Sequence, residues 1–224
     1  METPVVRTGQ KNYHDTLDES IIKMKLAFGN ASLPEIFVVM VTVGYTLEKI
    51  AALNAELAQL EDLYQDQIKE HADQSEEQDK MNNKRAEISP LFNTHRSLMR
   101  VLLKGDVHSW VALNLSAEVP SAFAAWSQMV SNFYGQFAKN PDLLLKAQGI
   151  GITQVVAQSQ ILALAELLNN REDLRKETAD AQKATDARDS AFDALYPKYA
   201  EYIKYAKILL PNNQLLEALG IRVR

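Results

Sequence analysis

Cysteine is absent from this sequence of 224 residues, which excludes disulfide bonds, a thiolate nucleophile and cysteine-ligated metals. An excess of positive charge is also missing, because 24 Lys and Arg residues stand against 29 Asp and Glu residues and give a net charge of −5. Binding to nucleic acid, or to an anionic lipid surface, normally depends on a basic patch. We therefore predict a protein without a nucleic-acid partner.

Long apolar runs are missing as well. The N-terminal stretch METPVVRTGQKNYHDT has no apolar segment behind its charges and does not resemble a secretory signal. The longest apolar run, residues 36–45, is shorter than the roughly 20 residues of a membrane-spanning helix. These features favour a cytoplasmic protein and leave export by a non-classical route open. Membrane association through 36–45 is the less favoured alternative.

One long segment of the chain occurs twice. Residues 34–103 align without a gap on residues 141–210, at an offset of 107, with 15 identities in 70 positions. Two unrelated segments of average composition would share roughly four identities over this length by chance. Both copies carry the motif Lys-Glu-x-Ala-Asp, at 69–73 and at 176–180. We interpret the pattern as a tandem duplication of a helical unit.

Helical periodicity runs through both copies. Glycine and proline are scarce after Gly44, and apolar residues recur at heptad spacing from Ile50 to Tyr64 and again from Ile88 to Leu102. The run 36–43 is rich in β-branched residues and has a strand alternative, but its copy at 143–147 consists of helix formers. We therefore predict helix throughout.

The polar middle of each long helical segment has two interpretations. It is either part of one helix of about 55 residues, about 80 Å long, or the turn of a helical hairpin near residues 80–89. Asn82-Asn83 and Ser89-Pro90 favour the hairpin, whereas Tyr196-Pro197 lacks a capping side chain and favours a continuous helix. Our prediction is the hairpin.

The predicted fold class is all-α, with internally duplicated long helical hairpins forming an elongated antiparallel helical bundle. We expect the seams at 50–64 and 88–102 to pack against their copies at 157–171 and 195–209, about a pseudo-twofold axis. The predicted organisation is an N-terminal tail at 1–13, a first helical repeat at 14–115 and a second helical repeat at 121–221.

No catalytic or cofactor constellation is recognisable in the sequence. None of the four histidines follows a Glu by three residues, as ferritin-like metal sites require, and His95 on the apolar seam is interpreted as a packed side chain. Gly149-Ile150-Gly151 lacks the third glycine of a nucleotide-binding loop. We predict no catalytic residue, no metal and no cofactor, and we expect a protein that is not an enzyme.

The repeated motif and the tryptophans are the candidate interaction residues. In an ordinary helix surface, the i,i+4 pairs Lys69–Asp73 and Lys176–Asp180 contribute only a few tenths of a kcal/mol each. The alternative is that both copies of the motif meet each other or another subunit. The candidate set is Lys69, Glu70, Asp73, Lys176, Glu177, Asp180, Trp110 and Trp126.

The C-terminal sequence Gln214-Leu215-Leu216-Glu217-Ala218-Leu219-Gly220-Ile221, after Ala206-Lys207-Ile208-Leu209, resembles the tail of a group of uncharacterised bacterial all-helical proteins. The resemblance covers about the last 50 residues and implies a helical bacterial protein without an assigned activity.

The function hypothesis from sequence is a non-catalytic structural or assembly protein, a helical subunit that forms homo-oligomers (rings or filaments) or scaffolds a protein partner. A membrane-active helical protein is the alternative, and a small-molecule or metal binder in the bundle core is the third.

Overall fold

The computed structural model describes residues 15–210 and 212–222, and within these ranges every regular element is a helix. The prediction of an all-α helical bundle is confirmed, whereas the predicted tail at 1–13 lies outside the described residues. A short 3₁₀ turn, Val41–Val43, follows the second helix. The helices are α1 (Leu17–Asn30), α2 (Pro34–Met40), α3 (Leu47–Leu102), α4 (Val107–Ala112), α5 (Phe123–Lys139), α6 (Pro141–Gln148), α7 (Gln154–Leu209) and α8 (Asn213–Ala218).

The helix boundaries recur along the chain. The helices α3 and α7 both contain 56 residues, and the first and last residues of α7 lie 107 positions after those of α3. The turn before each helix uses a glycine with positive φ, 87° at Gly44 and 86° at Gly151, a conformation that favours glycine. The next threonine in each copy, Thr46 or Thr153, accepts a hydrogen bond from a backbone N–H of the first helical turn.

The hairpin prediction is wrong, because each long polar segment lies inside one continuous helix. Pro90 lies within α3 and Pro197 within α7. The hydroxyl of Ser89 does not cap a new helix but donates to the carbonyl of Arg85, one turn earlier in the same helix. Asn82 accepts from the side chain of Gln78, which places it on a helix surface and not in a turn. Side-chain hydrogen bonds within the helix therefore satisfy the residues that suggested a turn.

The chain divides into two compact units that do not coincide with the two sequence repeats. Among the described residues, the first unit contains 15–68 and 182–222, and the second contains 69–181. The first unit therefore contains residues 47–68 of α3 and 182–209 of α7, and the second contains 69–102 of α3 and 154–181 of α7. Each also takes short helices from both repeats.

The core of the first unit joins α1 and α2 to the early part of α3 and the late part of α7. Phe28 and Tyr202 pack edge to face with ring centroids 6.0 Å apart, and Tyr45 packs on Tyr202 at 4.9 Å. The contacts Lys198–Glu56 and Arg188–Gln67 show that the two long helices run antiparallel here, because the α3 number rises as the α7 number falls. The α3 seam contributes Ile50, Leu53, Leu57 and Leu60 to this core.

The core of the second unit joins the late part of α3 and the early part of α7 to α5 and α6. Phe92 packs against Phe133 with ring centroids 5.4 Å apart. Lys84 bonds to Glu166 across the antiparallel long helices at 2.8 Å. The seam residues Ile88, Phe92 and Met99 are buried here together with Ala157, Leu164 and Leu167 of α7.

The two cores correct the predicted pairing of the seams. Residues 50–64 pack against 192–206 and not against their own copy at 157–171, and residues 88–103 pack against 157–167. The reason is the antiparallel direction of the two long helices, which brings the start of one beside the end of the other within each unit.

Candidate functional site

The repeated Lys-Glu-x-Ala-Asp motif lies in the polar part of the long helices, and all six of its candidate residues belong to the second unit. The Nζ of Lys69 lies 3.4 Å from a carboxylate oxygen of Glu70 and 3.7 Å from one of Asp73. The Nζ of Lys176 lies 2.9 Å from Asp173 Oδ1, and this hydrogen bond raises the pKa of the lysine. Asp180 is half-buried and also takes part in a polar interaction.

Three carboxylates of the two motif copies meet in space. One oxygen each of Glu70, Asp73 and Glu177 lies within 4.8 Å of the others, and all three residues are half-buried. Carboxylate oxygens are the ligands that Mg²⁺ and Ca²⁺ prefer. Lys69 already supplies a positive charge to Glu70 and Asp73. The sequence identified these residues through the repeat, whereas their proximity depends on the register between α3 and α7.

The two candidate tryptophans have different surroundings. Trp126 is buried in the core of the second unit, and the guanidinium of Arg85 lies 5.0 Å from the centre of its ring. Trp110 is half-buried at the end of α4 and donates from Nε1 to the hydroxyl of Ser116 at 2.8 Å. The Trp110 bond therefore holds the start of the segment that connects the two repeats.

A buried histidine–tyrosine pair lies in the core of the second unit. His95 Nδ1 and the hydroxyl of Tyr134 are 2.9 Å apart, and both side chains are buried. Burial lowers the pKa of the His95 imidazole and raises the pKa of the Tyr134 phenol, since both charged forms would lose hydration. The sequence predicted a packed histidine but carried no signal for its partner on α5.

The His95 pair predicts a stability that falls in mild acid. The pKa of His95 is lower in the folded protein than the value of about 6.5 in an unfolded chain. The unfolded state therefore binds a proton first as the pH falls below about 6.5, and the free energy of unfolding decreases in that range. Urea denaturation at several pH values between 5 and 8 measures this slope. His95→Gln should make the free energy of unfolding less dependent on pH, whereas His108→Gln, at an exposed position, should not. Equal pH dependence in the native chain and both variants would contradict the assignment.

Two arginines of α3 hold the segment between the repeats. Arg96 is only 3% exposed, and its Nη2 donates to the carbonyls of Asn114, at 2.7 Å, and of Ala117. Arg100 donates to the carbonyl of Leu115 through Nε at 2.9 Å and Nη2 at 2.7 Å. Burial and the neighbouring Arg100 lower the pKa of Arg96. These donors satisfy carbonyls beyond the end of α4 that lack helical partners.

A groove lies in the first unit between α1, the late part of α7 and the segment after α8. It has a volume of about 540 Å³. Its walls carry two tyrosine rings, the acids Asp15 and Glu19, and the cations Lys23, Lys207 and Arg222. Asp15 and Lys23 form an ion pair at 2.7 Å. No motif in the sequence predicted this groove, because its residues come from opposite ends of the described chain.

Several large apolar side chains are exposed at equivalent positions of the two repeats. Their exposed fractions are 64% and 71% for Val38 and Leu145, 39% and 38% for Leu98 and Tyr205, and 78% and 79% for Val101 and Ile208. Each pair is separated by 107 residues. In each unit, two of the three side chains lie one helical turn apart on the last turns of a long helix. We call Val38, Tyr205 and Ile208 the first outer triplet, and Leu145, Leu98 and Val101 the second outer triplet.

The apolar segment 36–45 is only partly buried in the core of the first unit. Ile36, Met40 and Tyr45 are buried in the first unit, while Val38 and Val41 are exposed. Within the described residues, no single helix has the length and hydrophobicity needed to cross a membrane. The pair Leu17–Asn30 and Pro34–Val43 passes that test together but is bent by 90° at the break.

No protein-family model, curated protein or solved structure is significantly similar to this chain.

Proposed function

We propose that this protein is a non-catalytic helical subunit that self-associates through the two outer triplets. One observation carries the proposal: large apolar side chains are exposed to the same extent at equivalent positions of both repeats. A single exposed apolar residue is ordinary on a protein surface. Repetition of three such residues, one set in each unit, gives one chain two similar sets of exposed apolar side chains, as a subunit of a larger assembly requires.

The free energy available from these surfaces is substantial. Burial of an exposed Val, Leu or Ile side chain contributes up to about 1.5–3 kcal/mol. Leu98 and Tyr205 are only 39% and 38% exposed, so most of the gain comes from two aliphatic side chains in each triplet, Val38 with Ile208 and Leu145 with Val101. Contact between unlike triplets gives head-to-tail rings or filaments, whereas contact between like triplets has twofold symmetry.

Substitution of the most exposed residue in each triplet is expected to abolish self-association. The double variant Val101→Asp/Ile208→Asp places a charge in both surfaces, and desolvating an unpaired carboxylate opposes contact strongly. Sedimentation velocity and light scattering at tens of micromolar should give an oligomer for the native chain and a single 25.2 kDa species for the double variant.

The single variants distinguish the two modes of contact. If unlike triplets meet, Val101→Asp alone yields monomers, and if like triplets meet it leaves dimers through the first triplet. Val155→Asp is the matched control, because Val155 is 76% exposed but its equivalent in the other repeat is Glu48. A native chain that remains monomeric throughout this concentration range would refute the proposal, and so would equal loss of assembly in the control.

The membrane-active alternative is supported by the bent apolar pair in α1 and α2. It requires Ile36 and Met40 to leave the core of the first unit, because both are fully buried. Co-sedimentation with liposomes separates the two functions. Binding that survives Val101→Asp/Ile208→Asp and is lost in Val38→Asp would favour the membrane.

A further inference from the structure

The groove between α1, the late part of α7 and the segment after α8 lies wholly within the first unit. Its volume is about 540 Å³, and sites that bind small molecules usually measure about 300–1,000 Å³. Stable contact with another protein generally needs a much larger surface, about 800 Å² on each partner. The groove is therefore of a size that fits a small molecule.

The charges that line the groove favour an anion. Three cationic side chains stand against two carboxylates, which gives a net charge of +1 on a chain whose net charge is −5. Both carboxylates already have a partner within the protein. Asp15 pairs with Lys23 at 2.7 Å, and Glu19 accepts a hydrogen bond from the backbone N–H of Thr16 at 2.9 Å.

The other two cations of the groove, Lys207 and Arg222, remain available to a ligand. Both side chains are exposed. Neither forms an ion pair or a side-chain hydrogen bond with any other residue that the structure describes. Lysine and arginine donate charge-assisted hydrogen bonds to carboxylates, and these bonds are stronger than those between neutral groups.

The rest of the lining is mainly apolar and aromatic. Ile203 is 9% exposed, whereas Ile22 on the wall is 59% exposed and could be covered by a ligand. The rings of Tyr196 and Tyr199 are half-buried, with centroids 6.0 Å apart and planes inclined at 53°. A further aromatic ring gains free energy from edge-to-face or offset contact with such rings, beyond that of simple burial. The lining therefore favours an aromatic body over an aliphatic one.

The aromatic and cationic lining is not a requirement of the repeated fold. The helix α7 begins 107 residues after α3, and α5 begins 106 residues after α1. At these offsets Tyr196 corresponds to Ser89, and Lys23 corresponds to Met129. The second unit therefore builds the same helices without an aromatic or a cationic side chain at these two positions.

We propose that the groove of the first unit binds a small aromatic carboxylate, with its ring system against Tyr196 and Tyr199 and its carboxylate on Lys207 and Arg222. A carboxylate carries the single negative charge that matches the net charge of the groove, whereas a phosphate ester carries about −1.5 to −2. The inference uses none of the outer-triplet residues and stands independently of self-association.

The test titrates the full chain against 2-naphthoate and follows the fluorescence of the naphthalene ring. We expect saturable binding with a dissociation constant of about 1 mM or lower, as is ordinary for a ligand of this size. The neutral 2-naphthamide has nearly the same shape and should bind about tenfold more weakly, because the charge-assisted hydrogen bonds are lost. Absence of saturable binding at millimolar 2-naphthoate, or equal affinity for the acid and the amide, would overturn the proposal.

Lys207→Gln tests the cationic side of the groove. It should weaken the binding of 2-naphthoate about tenfold and leave the binding of 2-naphthamide unchanged, since only the acid uses the charge. Lys204→Gln is the matched control, because Lys204 is also exposed, lies one turn earlier on α7 and is outside the groove. Equal weakening by both variants would show that the acid responds only to the overall charge of the chain, which would overturn the proposal.

A photoreactive aromatic acid, 4-benzoylbenzoate, locates the ligand on the protein. Mass spectrometry identifies the cross-linked residues. Cross-links within 15–23, 196–207 or 220–222 support the proposal, and cross-links confined to the rest of the chain would overturn it. Sedimentation of the same samples measures assembly separately, so a failure of ligand binding can be distinguished from a failure of self-association.

Discussion

Phe92→Ala is expected to lower the free energy of unfolding by about 3–5 kcal/mol, the cost of truncating a fully buried aromatic residue. Phe92 is 0% exposed, and its ring contacts those of Phe133 at 5.4 Å and Tyr134 at 6.3 Å. Truncation leaves a cavity at the point where α3 meets α5. Guanidinium denaturation followed by circular dichroism measures the loss.

Phe123→Ala is the matched control, because this ring is only half-buried at the start of α5. It should cost clearly less, although the ring lies 4.5 Å from the guanidinium of Arg171. Equal losses in the two variants would contradict the assignment of Phe92 to the centre of the core.

Arg96→Ala is expected to destabilise the protein by about 3 kcal/mol. Its guanidinium donates to the carbonyls of Asn114 and Ala117, and hydrogen bonds from a charged donor contribute about 1.5–3 kcal/mol each. Its removal leaves both carbonyls without these donors and leaves a cavity where the side chain was buried. The same denaturation experiment measures the change, and proteolysis tests whether the connecting segment becomes easier to cleave.

Arg100→Ala provides the comparison for Arg96, because Arg100 binds the same segment from an exposed position. Water can replace its bonds to Leu115, so we expect a loss of about 1 kcal/mol or less. A stability of Arg96→Ala equal to that of the native chain would show that the segment holds its position without this donor.

Much of the helical architecture is predictable from sequence because it depends on local signals. Gly44, Thr46 and their copies mark where the long helices begin, and the seam residues from Ile50 to Leu60 are buried as their heptad spacing indicates. The hairpin prediction was wrong because a Ser-Pro pair is also compatible with the interior of a helix. Here the Ser89 hydroxyl donates to the carbonyl of Arg85, and Pro90 lies within α3. Packing of Ile88 and Phe92 on either side of this pair keeps the helix continuous.

The candidate sites were less predictable because they depend on contacts between distant segments. The repeated motif indicated Glu70 and Glu177, but their proximity follows from the register of two helices about 100 residues apart. His95 stood out as a lone histidine on an apolar seam, and only the position of α5 supplies Tyr134 as its partner. Arg96 carried no signal at all, since its acceptors are backbone carbonyls of a loop.

The division of each long helix between two compact units has a consequence for how such a chain could arise. A polypeptide with a single copy of the repeat would hold half of each core and could complete neither alone. Two identical polypeptides would complete both cores by exchanging these halves, in the manner of a domain-swapped pair. Residues 116–121, which lie between α4 and α5, would then act as the tether that joins the two copies in one chain.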